Sequence, residues 1–114
     1  MAFQRNKPAA IGVKAPFPAF IEPALASSTE KVPSGERWIH EIKFDGYRTI
    51  AHFTEGKVRL LTRTGIDWTD RYGVLADAFS GLSCKEAIID GEIVVVDETG
   101  VTHFSDLQQA LSDK

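Results

Sequence analysis

The chain has 114 residues, of which 43% are hydrophobic and 25% are charged, and its net charge is −3 at pH 7. This length and balance predict one soluble globular domain with its own hydrophobic core. No apolar run approaches the roughly 20 residues that span a bilayer. Cys84 is the single cysteine, which excludes an internal disulfide. Since the polar N-terminus also has no apolar signal core, we expect a cytoplasmic location.

The charge is distributed unevenly along the chain. Residues 1–71 carry eleven Lys or Arg against eight Asp or Glu, whereas residues 72–114 carry two against eight. The first part can therefore help to receive an anion. It lacks the dense basic footprint that strong, autonomous duplex binding requires. We expect an anionic ligand about the size of a nucleotide.

All five prolines lie within residues 1–35. Each proline restricts its own backbone and biases the preceding residue away from a helix, so this part is predicted to be extended. We assign residues 1–20 to a Pro-rich N-terminal segment and residues 21–114 to the domain. Phe17, Phe20, Ile21 and Leu25 are too apolar for a free linker and are expected to lie along the domain surface.

Alternation and helical spacing predict an α+β fold, a mainly antiparallel sheet with two helices packed against it. Glu55 and Gly56 are expected to form a tight hairpin turn. Thr69 is predicted to cap the first helix, and Ser105 to open the second through a capping box. The predicted strands are Arg37–Phe44, Tyr47–Thr54, Lys57–Arg63 and a central, buried Glu86–Val96; the predicted helices are Asp70–Phe79 and a short helix from Ser105 onward.

The first candidate site surrounds Lys43. In a strand, Glu41, Lys43 and Asp45 would share one face. An amine can attack a phosphorus atom only when it is unprotonated, so its environment must lower a pKa that is near ~10.4 in a free lysine. Two flanking carboxylates would raise that pKa unless they contact a metal or the ligand instead. The spacing by itself favours a surface ladder of weak ion pairs.

Two further groups of polar residues follow. Arg63, before Gly65, could form paired hydrogen bonds with a phosphate, although a solvated arginine at a strand end is the more common case. Asp90 and Glu92 lie within a run of Ile and Val, where carboxylates are costly without partners or a ligand. Lys43 is the candidate partner for these carboxylates, although a simple buried ion pair is also possible. A glycine between them, Gly91, is typical of a bulge or a close approach, which favours a functional role here.

The histidines and tryptophans suggest structural roles. His40 and His52 are interpreted as structural histidines, and His103 has no other ligand type at metal spacing, so no zinc site is predicted. Trp38, Trp68 and Phe79 are interpreted as core residues, although an aromatic ring near a nucleotide could stack on the base.

Taken in order, these motifs resemble the covalent nucleotidyltransferase superfamily of ATP-dependent DNA ligases and mRNA capping enzymes. The signature Lys-x-Asp-Gly-x-Arg occurs at residues 43–48, Leu-Thr-Arg-Thr-Gly at residues 61–65 and Asp-Gly-Glu-Ile-Val-Val at residues 90–95. The sequence from Trp38 to Arg48 is most similar to the corresponding segment of bacterial end-joining ligases. The resemblance covers residues from about 20 to 114 and implies part of an ATP-grasp-like adenylation domain.

The resemblance also implies a role for each matched residue. Lys43 would attack the α-phosphate of ATP, form a lysyl–AMP phosphoramidate and release pyrophosphate, with Mg²⁺ neutralising the triphosphate. The residues implied in nucleotide binding are Glu41 near the adenine amino group, Arg48 and Arg63 on ribose and phosphate oxygens, and Glu92 near the ribose hydroxyls, with Asp45 and Asp90 as possible supporting residues.

In the full-length ligases of this family, the partner is nicked or broken DNA. The family's later ligase elements and its OB-fold domain are absent from this sequence, so we expect the chain alone to have little or no activity. Two alternatives stay open. The chain could be a non-catalytic interaction module derived from a ligase, or it could belong to an RNA ligase or a capping-type nucleotidyltransferase.

Overall fold

The computed structural model describes residues 11–112, and within them a three-stranded antiparallel sheet carries its helices on one face. The strand order is β2–β1–β3, so β1 is central. The elements are β1 (Tyr47–Thr54), β2 (Lys57–Thr62), α1 (Thr69–Tyr72), a 3₁₀ helix (Gly73–Gly81), β3 (Glu86–Ile93) and α2 (Phe104–Ser112). The predicted α+β class is confirmed.

The hairpin between β1 and β2 forms where the sequence predicts it. Thr54 pairs with Lys57 across the turn. Glu55 and Gly56 both have positive φ, 52° and 78°, the backbone that two-residue hairpin turns require.

One face of the sheet holds the main core. Ala51 and Leu60 pack with Tyr72 of α1, and Trp68 and Phe79 close around them. The predicted core role of Phe79 and Trp68 is therefore confirmed.

The N-terminal segment lies against the opposite face of the sheet. The rings of Phe17 and His52 are 4.8 Å apart, and His52 Nε2 lies 3.1 Å from the carbonyl oxygen of Pro18. Phe20 packs beside Gly65. The prediction that these phenylalanines lie on the domain is confirmed, whereas Ile21 and Leu25 stay 51% and 66% exposed.

The predicted strand Arg37–Phe44 is wrong, because this segment has no regular secondary structure. Both sides of β1 are occupied by β2 and β3, and no strand among residues 11–112 pairs with the segment. Its side chains stay exposed on both faces: Trp38 56%, Ile39 88%, Ile42 80% and Phe44 50%. The core role predicted for Trp38 is therefore also wrong.

The strand near the end of the chain is shorter and less buried than predicted. β3 ends at Ile93, pairs only with β1 among residues 11–112, and is largely exposed. The Asp90-Gly91-Glu92 segment does not interrupt it, since the register runs on through Thr49↔Gly91. Nothing lies within 4 Å of where a Cβ of Gly91 would be, so no close approach explains this glycine among the described residues.

Both helix starts differ from prediction. The first α-helix stops after Tyr72, because Gly73 takes a positive φ of 55° and the chain continues as a 3₁₀ helix. Thr69 is the first helical residue instead of a cap, and its hydroxyl bonds Asp67 and the Leu60 N–H. α2 already begins at Phe104, which places Ser105 in the first turn.

Among residues 11–112, no helix is long and apolar enough to cross a membrane.

Candidate nucleotide-binding site

A cleft opens where the beginning of β1 lies beside the end of β2. It has a volume of about 270 Å³. A neighbouring cleft of about 260 Å³ shares Arg63 and Thr64 with it and is also lined by Glu22, Pro23 and Leu25 of the N-terminal segment. The first cleft is lined by Tyr47, Arg48, Thr62, Arg63, Thr64, Ile66 and Trp68.

The antiparallel register brings Arg48 and Arg63 to this cleft. Arg48 is the second residue of β1 and Arg63 follows the last residue of β2, and Thr49 pairs with Thr62 between them. After β2 the chain turns tightly, with the Thr62 N–H donating to the Ile66 carbonyl at 2.8 Å. Gly65 permits this turn through its positive φ of 89°, as its place after Arg63 suggests. The pairing therefore joins two of the predicted ligand residues, 15 positions apart.

Aromatic side chains form one wall of the cleft. The Tyr47 ring meets Trp68 edge-on at 5.4 Å between centroids, and on its other side it meets Phe104 at 5.0 Å. The guanidinium of Arg71 lies 4.5 Å from the centre of the Trp68 ring. Sequence reasoning allowed for base stacking by an aromatic residue but did not single out Tyr47, whose signal is its place inside the signature motif beside Arg48.

Arg48 is tied to β3 by a forked ion pair. Its Nε and Nη2 each donate to one carboxylate oxygen of Asp90 at 2.6 Å. Hydrogen bonding to Asp90 raises the pKa of Arg48, and the same contact lowers the pKa of Asp90. Glu92 lies directly opposite Arg48 in the register. The candidate partner of Asp90 from the sequence was Lys43, and this is wrong, because strand pairing places Arg48 there instead.

Lys43 lies outside the cleft. Its side chain is 90% exposed, and its ion pair among residues 11–112 is with Asp45 at 3.5 Å. The side chains of Glu41 and Glu92 are also exposed and have no ion pair or side-chain hydrogen bond within the same range. The structure thus assembles Arg48, Arg63 and Asp90 with Glu92 nearby, whereas Glu41, Lys43 and Asp45 stay together on the unpaired segment.

The carboxylates do not form a metal cage. No group of three or more His, Cys, Asp or Glu side chains within residues 11–112 is arranged to hold a metal ion. Asp90 is committed to Arg48. The side chains of residues 11–112 therefore form no preformed site for a resident Mg²⁺.

The histidines have polar partners. His40 Nε2 lies 2.7 Å from the Pro33 carbonyl oxygen and His52 bonds Pro18, as structural histidines would. His103 Nε2 contacts the Asp97 carboxylate at 2.8 Å, and this contact raises the pKa of His103.

The short loop after β3 is organised by Asp97, a residue that sequence reasoning did not single out. Val96 and Thr102 form a β-bridge that closes it. One oxygen of Asp97 accepts from the Thr99 N–H, the Thr99 hydroxyl and the Val101 N–H, at 2.8, 2.6 and 3.0 Å. These bonds lower the pKa of Asp97. The signal was present in the sequence, because Asp followed by Thr and Gly is typical of a turn in which the side chain caps the backbone.

Comparison with known proteins gives the family. The family model for the ATP dependent DNA ligase domain matches residues 23–114. The chain belongs to the ATP-dependent DNA ligase family. The multifunctional non-homologous end joining protein LigD of Pseudomonas aeruginosa is 47% identical over 102 residues, which are 90% of this chain and 12% of that protein.

Solved ligase structures agree with this assignment. A mycobacterial DNA ligase D complexed with ATP and MES matches at 40% identity with a TM-score of 0.55, over 60% of this chain and 23% of that chain. The ligase domain of Mycobacterium tuberculosis LigD matches at 39% identity with a TM-score of 0.56, with the same coverage of both chains. Our chain therefore corresponds to part of a LigD-type ligase domain and spans about an eighth of the Pseudomonas relative.

Proposed function

We propose that this chain provides the ATP-binding, lysine-bearing part of an ATP-dependent DNA ligase that acts in end joining. The observation that carries the proposal is the convergence of Arg48 and Arg63 in a cleft walled by Tyr47 and Trp68. Arginine pairs suit phosphate oxygens and aromatic rings suit a nucleobase. The mycobacterial structural relative is described as complexed with ATP, which supports the same ligand here.

In this proposal Lys43 is the nucleophile of the first step. Its neutral Nζ forms a bond to the α-phosphorus of ATP while the bond from that phosphorus to the bridging oxygen breaks. Pyrophosphate leaves, and the nitrogen gives one proton to solvent. Arg48 and Arg63 would balance the negative charge on ribose and phosphate oxygens, and Glu92 would accept from the ribose hydroxyls. Glu41 would meet the adenine amino group, with Asp45 and Asp90 in support. Mg²⁺ would arrive with the triphosphate and neutralise it.

The exposed position of Lys43 gives the proposal a clear consequence. A lysine that is 90% exposed has no cleft around it, among residues 11–112, to orient ATP. The chain alone should therefore have little or no adenylation activity. Activity requires further ligase elements that close over the segment, and sealing of nicked or broken DNA requires the OB-fold as well. We place the reaction in the bacterial cytoplasm.

The experiment is transfer of label from α-labelled ATP with Mg²⁺. The chain alone should take up little label. Addition of the remaining ligase domain of the Pseudomonas relative, without its own lysine segment, should restore labelling at Lys43, and Lys43→Arg should abolish it. Robust labelling of the chain alone would overturn the prediction of inactivity.

The arginines offer a matched pair of variants in the same assay. Arg63→Gln should lower the restored labelling by about 10- to 100-fold, because a charge-assisted hydrogen bond contributes roughly 1.5–3 kcal/mol. Arg59→Gln should change it less than about 2-fold, since Arg59 is exposed on β2, the strand that precedes Arg63, but lies outside the cleft. Equal losses in the two variants would argue against a specific role for Arg63.

A second candidate function is a non-catalytic interaction module. The exposed apolar side chains of Trp38, Ile39, Ile42 and Phe44 favour it, because they suit a protein partner. Binding of the remaining ligase domain without any labelling of Lys43 would support this module and reject the enzyme segment.

A further inference from the structure

The segment that carries Lys43 is held to the rest of the domain at very few points. Among residues 11–112, no hydrogen bond involves Glu41, Ile42, Lys43 or Phe44, and no secondary structure orders them. The first anchors after Lys43 are at the next two motif residues, Asp45 and Gly46. What fixes these anchors therefore decides where Lys43 can lie.

The anchor at Asp45 is a hydrogen bond over 57 positions of sequence. The backbone N–H of Asp45 donates to the hydroxyl of Thr102 at 2.9 Å. Gly46 then packs so closely on Ile93 that an added Cβ would lie 1.9 Å from its carbonyl oxygen. Both contacts join the signature motif to the end of β3 and the loop that follows it.

The loop itself is rigidly built, so Thr102 is a fixed acceptor. Thr102 pairs with Val96 across the loop, and the Asp97 N–H donates to Val101 at 2.8 Å while the His103 N–H donates to Val95 at 3.3 Å. The Asp97 carboxylate then binds Thr99, Val101 and His103 from inside the turn. An acceptor held this firmly costs little further ordering when it receives the Asp45 N–H.

We propose that Thr102 is a positioning residue for Lys43. The Thr102 hydroxyl, presented by the loop from Asp97 to His103, fixes the backbone at Asp45 and so sets the direction in which the Lys43 side chain projects from the domain. This inference rests on the proposed role of Lys43 as the nucleophile. Thr102 reaches the motif through the backbone of Asp45, so we expect it to act by positioning Lys43 and not by binding the nucleotide. Misplacement of a reacting group by about 1 Å can cost roughly 100-fold in rate.

The first test measures the segment directly, without any activity. Amide hydrogen exchange and ¹⁵N relaxation are compared for the wild type, Thr102→Val and Thr102→Ser. Val keeps the shape and removes the hydroxyl acceptor, and Ser keeps the acceptor. We expect Thr102→Val to speed exchange of the Asp45 amide by about 10-fold and to loosen residues 43–45, while the amides of β1 stay unchanged; Thr102→Ser should behave as the wild type.

The second test uses the labelling assay with the remaining ligase domain of the Pseudomonas relative added. Thr102→Val should lower the rate of Lys43 labelling at saturating ATP by at least about 10-fold with little change in the ATP concentration needed for half-maximal rate. Thr102→Ser should restore that rate. A variant that only weakened the fold would lower the labelling rate and would also speed hydrogen exchange of the β1 amides.

The outcomes separate this inference from the proposed function. If Thr102→Val leaves the Asp45 amide and residues 43–45 unchanged, the positioning role is overturned whatever the activity. If the segment loosens as expected but no form of the chain is ever labelled at Lys43, the proposed nucleophile fails and the positioning of Lys43 for catalysis fails with it. If the segment loosens and the labelling rate stays at the wild-type value, the anchor is structural only and the inference is rejected.

Discussion

Gly46 shows how one residue of the signature motif serves the fold before it serves any chemistry. It precedes β1, at the point where the chain passes the end of β3. A Cβ there would lie 1.9 Å from the Ile93 carbonyl oxygen and 2.9 Å from a methyl of Val94. The carbonyl belongs to the backbone beside the β1–β3 pairing, so it cannot move without disturbing the sheet.

Gly46→Ala should therefore lower the free energy of unfolding by about 1–3 kcal/mol, the usual cost of forcing extra volume into a packed site. Gly91→Ala is the matched control, since nothing lies within 4 Å of its Cβ position and its φ is not in the left-handed region. That control should be neutral or stabilising by up to ~1 kcal/mol. Urea unfolding of both variants measures this, and equal effects would show that the close approach at Gly46 is not the cause.

We expect His103 to make the stability of the loop after β3 depend on pH. Its pKa is raised, first by the hydrogen bond to Asp97 and then by the charges of Asp97, Asp106 and Asp45. A raised pKa contributes stability that is fully present below the unfolded value near ~6.5 and is lost as pH rises through the folded value. The lowered pKa of Asp97 has the opposite pH dependence. Its contribution to stability is present at neutral pH and is lost as pH falls below about 4.

We expect the His103 pKa, measured by NMR titration, to exceed ~6.5 in the wild type and to fall in Asp97→Asn. The stability difference between wild type and Asp97→Asn should be larger at about pH 5.5 than at about pH 8.5. A difference that does not depend on pH would mean that the Asp97–His103 pair does not form in solution.

At the scale of elements, the β1–β2 hairpin organises both the core and the cleft. Its alternation sends Ala51 and Leu60 to the helices, while its register places Arg48 next to Arg63. α1 and the 3₁₀ helix are short, so they depend on this packing and not on their own propensity. Core stability and site geometry are thus coupled through one hairpin.

Leu60→Ala tests the contribution of this hairpin to the core. Leu60 is fully buried, and its truncation should cost about 2–5 kcal/mol. Val74→Ala is the control, because Val74 is 81% exposed on the 3₁₀ helix, and it should change stability by less than ~0.5 kcal/mol. Thermal or urea unfolding gives both values; a mild effect at Leu60 would place the core elsewhere.

At the scale of the whole molecule, the exposed segment between Gly35 and Asp45 contrasts with the paired sheet. It places large apolar side chains in water, and among residues 11–112 its backbone has few partners. Such a segment opens at little cost, whereas β2 opens only when the sheet does.

Limited proteolysis with trypsin should therefore cut after Arg37 and Lys43 before it cuts after Lys57 or Arg59, although all four side chains are exposed. The fragments can be identified by mass spectrometry. If the remaining ligase domain covers the segment, its addition should slow the first two cuts and leave the others unchanged. Cleavage at Arg59 as early as at Lys43 would contradict the described pairing of β2.

Prediction from sequence worked best where the signal was local. Tyr47–Thr54, the Glu55–Gly56 turn and the following strand depend on alternation and on turn residues, and the structure has them almost to the residue. It failed at Arg37–Phe44, where the pattern is strand-like but the described chain offers no partner. It also failed to find Thr102, because a hydrogen bond over 57 positions leaves no local pattern.

The sequence alone thus determined the class of fold, the hairpin at its centre and the family, since these follow from periodicity and from motifs that are contiguous in the chain. Only the tertiary structure decided that Arg48 pairs with Asp90, that Arg48 and Arg63 share a cleft, and that Lys43 stays outside it. Strand register and loop closure set these distances, and both arise from pairing between residues far apart in sequence. The residue types of the Lys43 motif can be read from a contiguous stretch of sequence. The position of Lys43, in contrast, depends on the sheet and the loop, which hold Asp45 and Gly46.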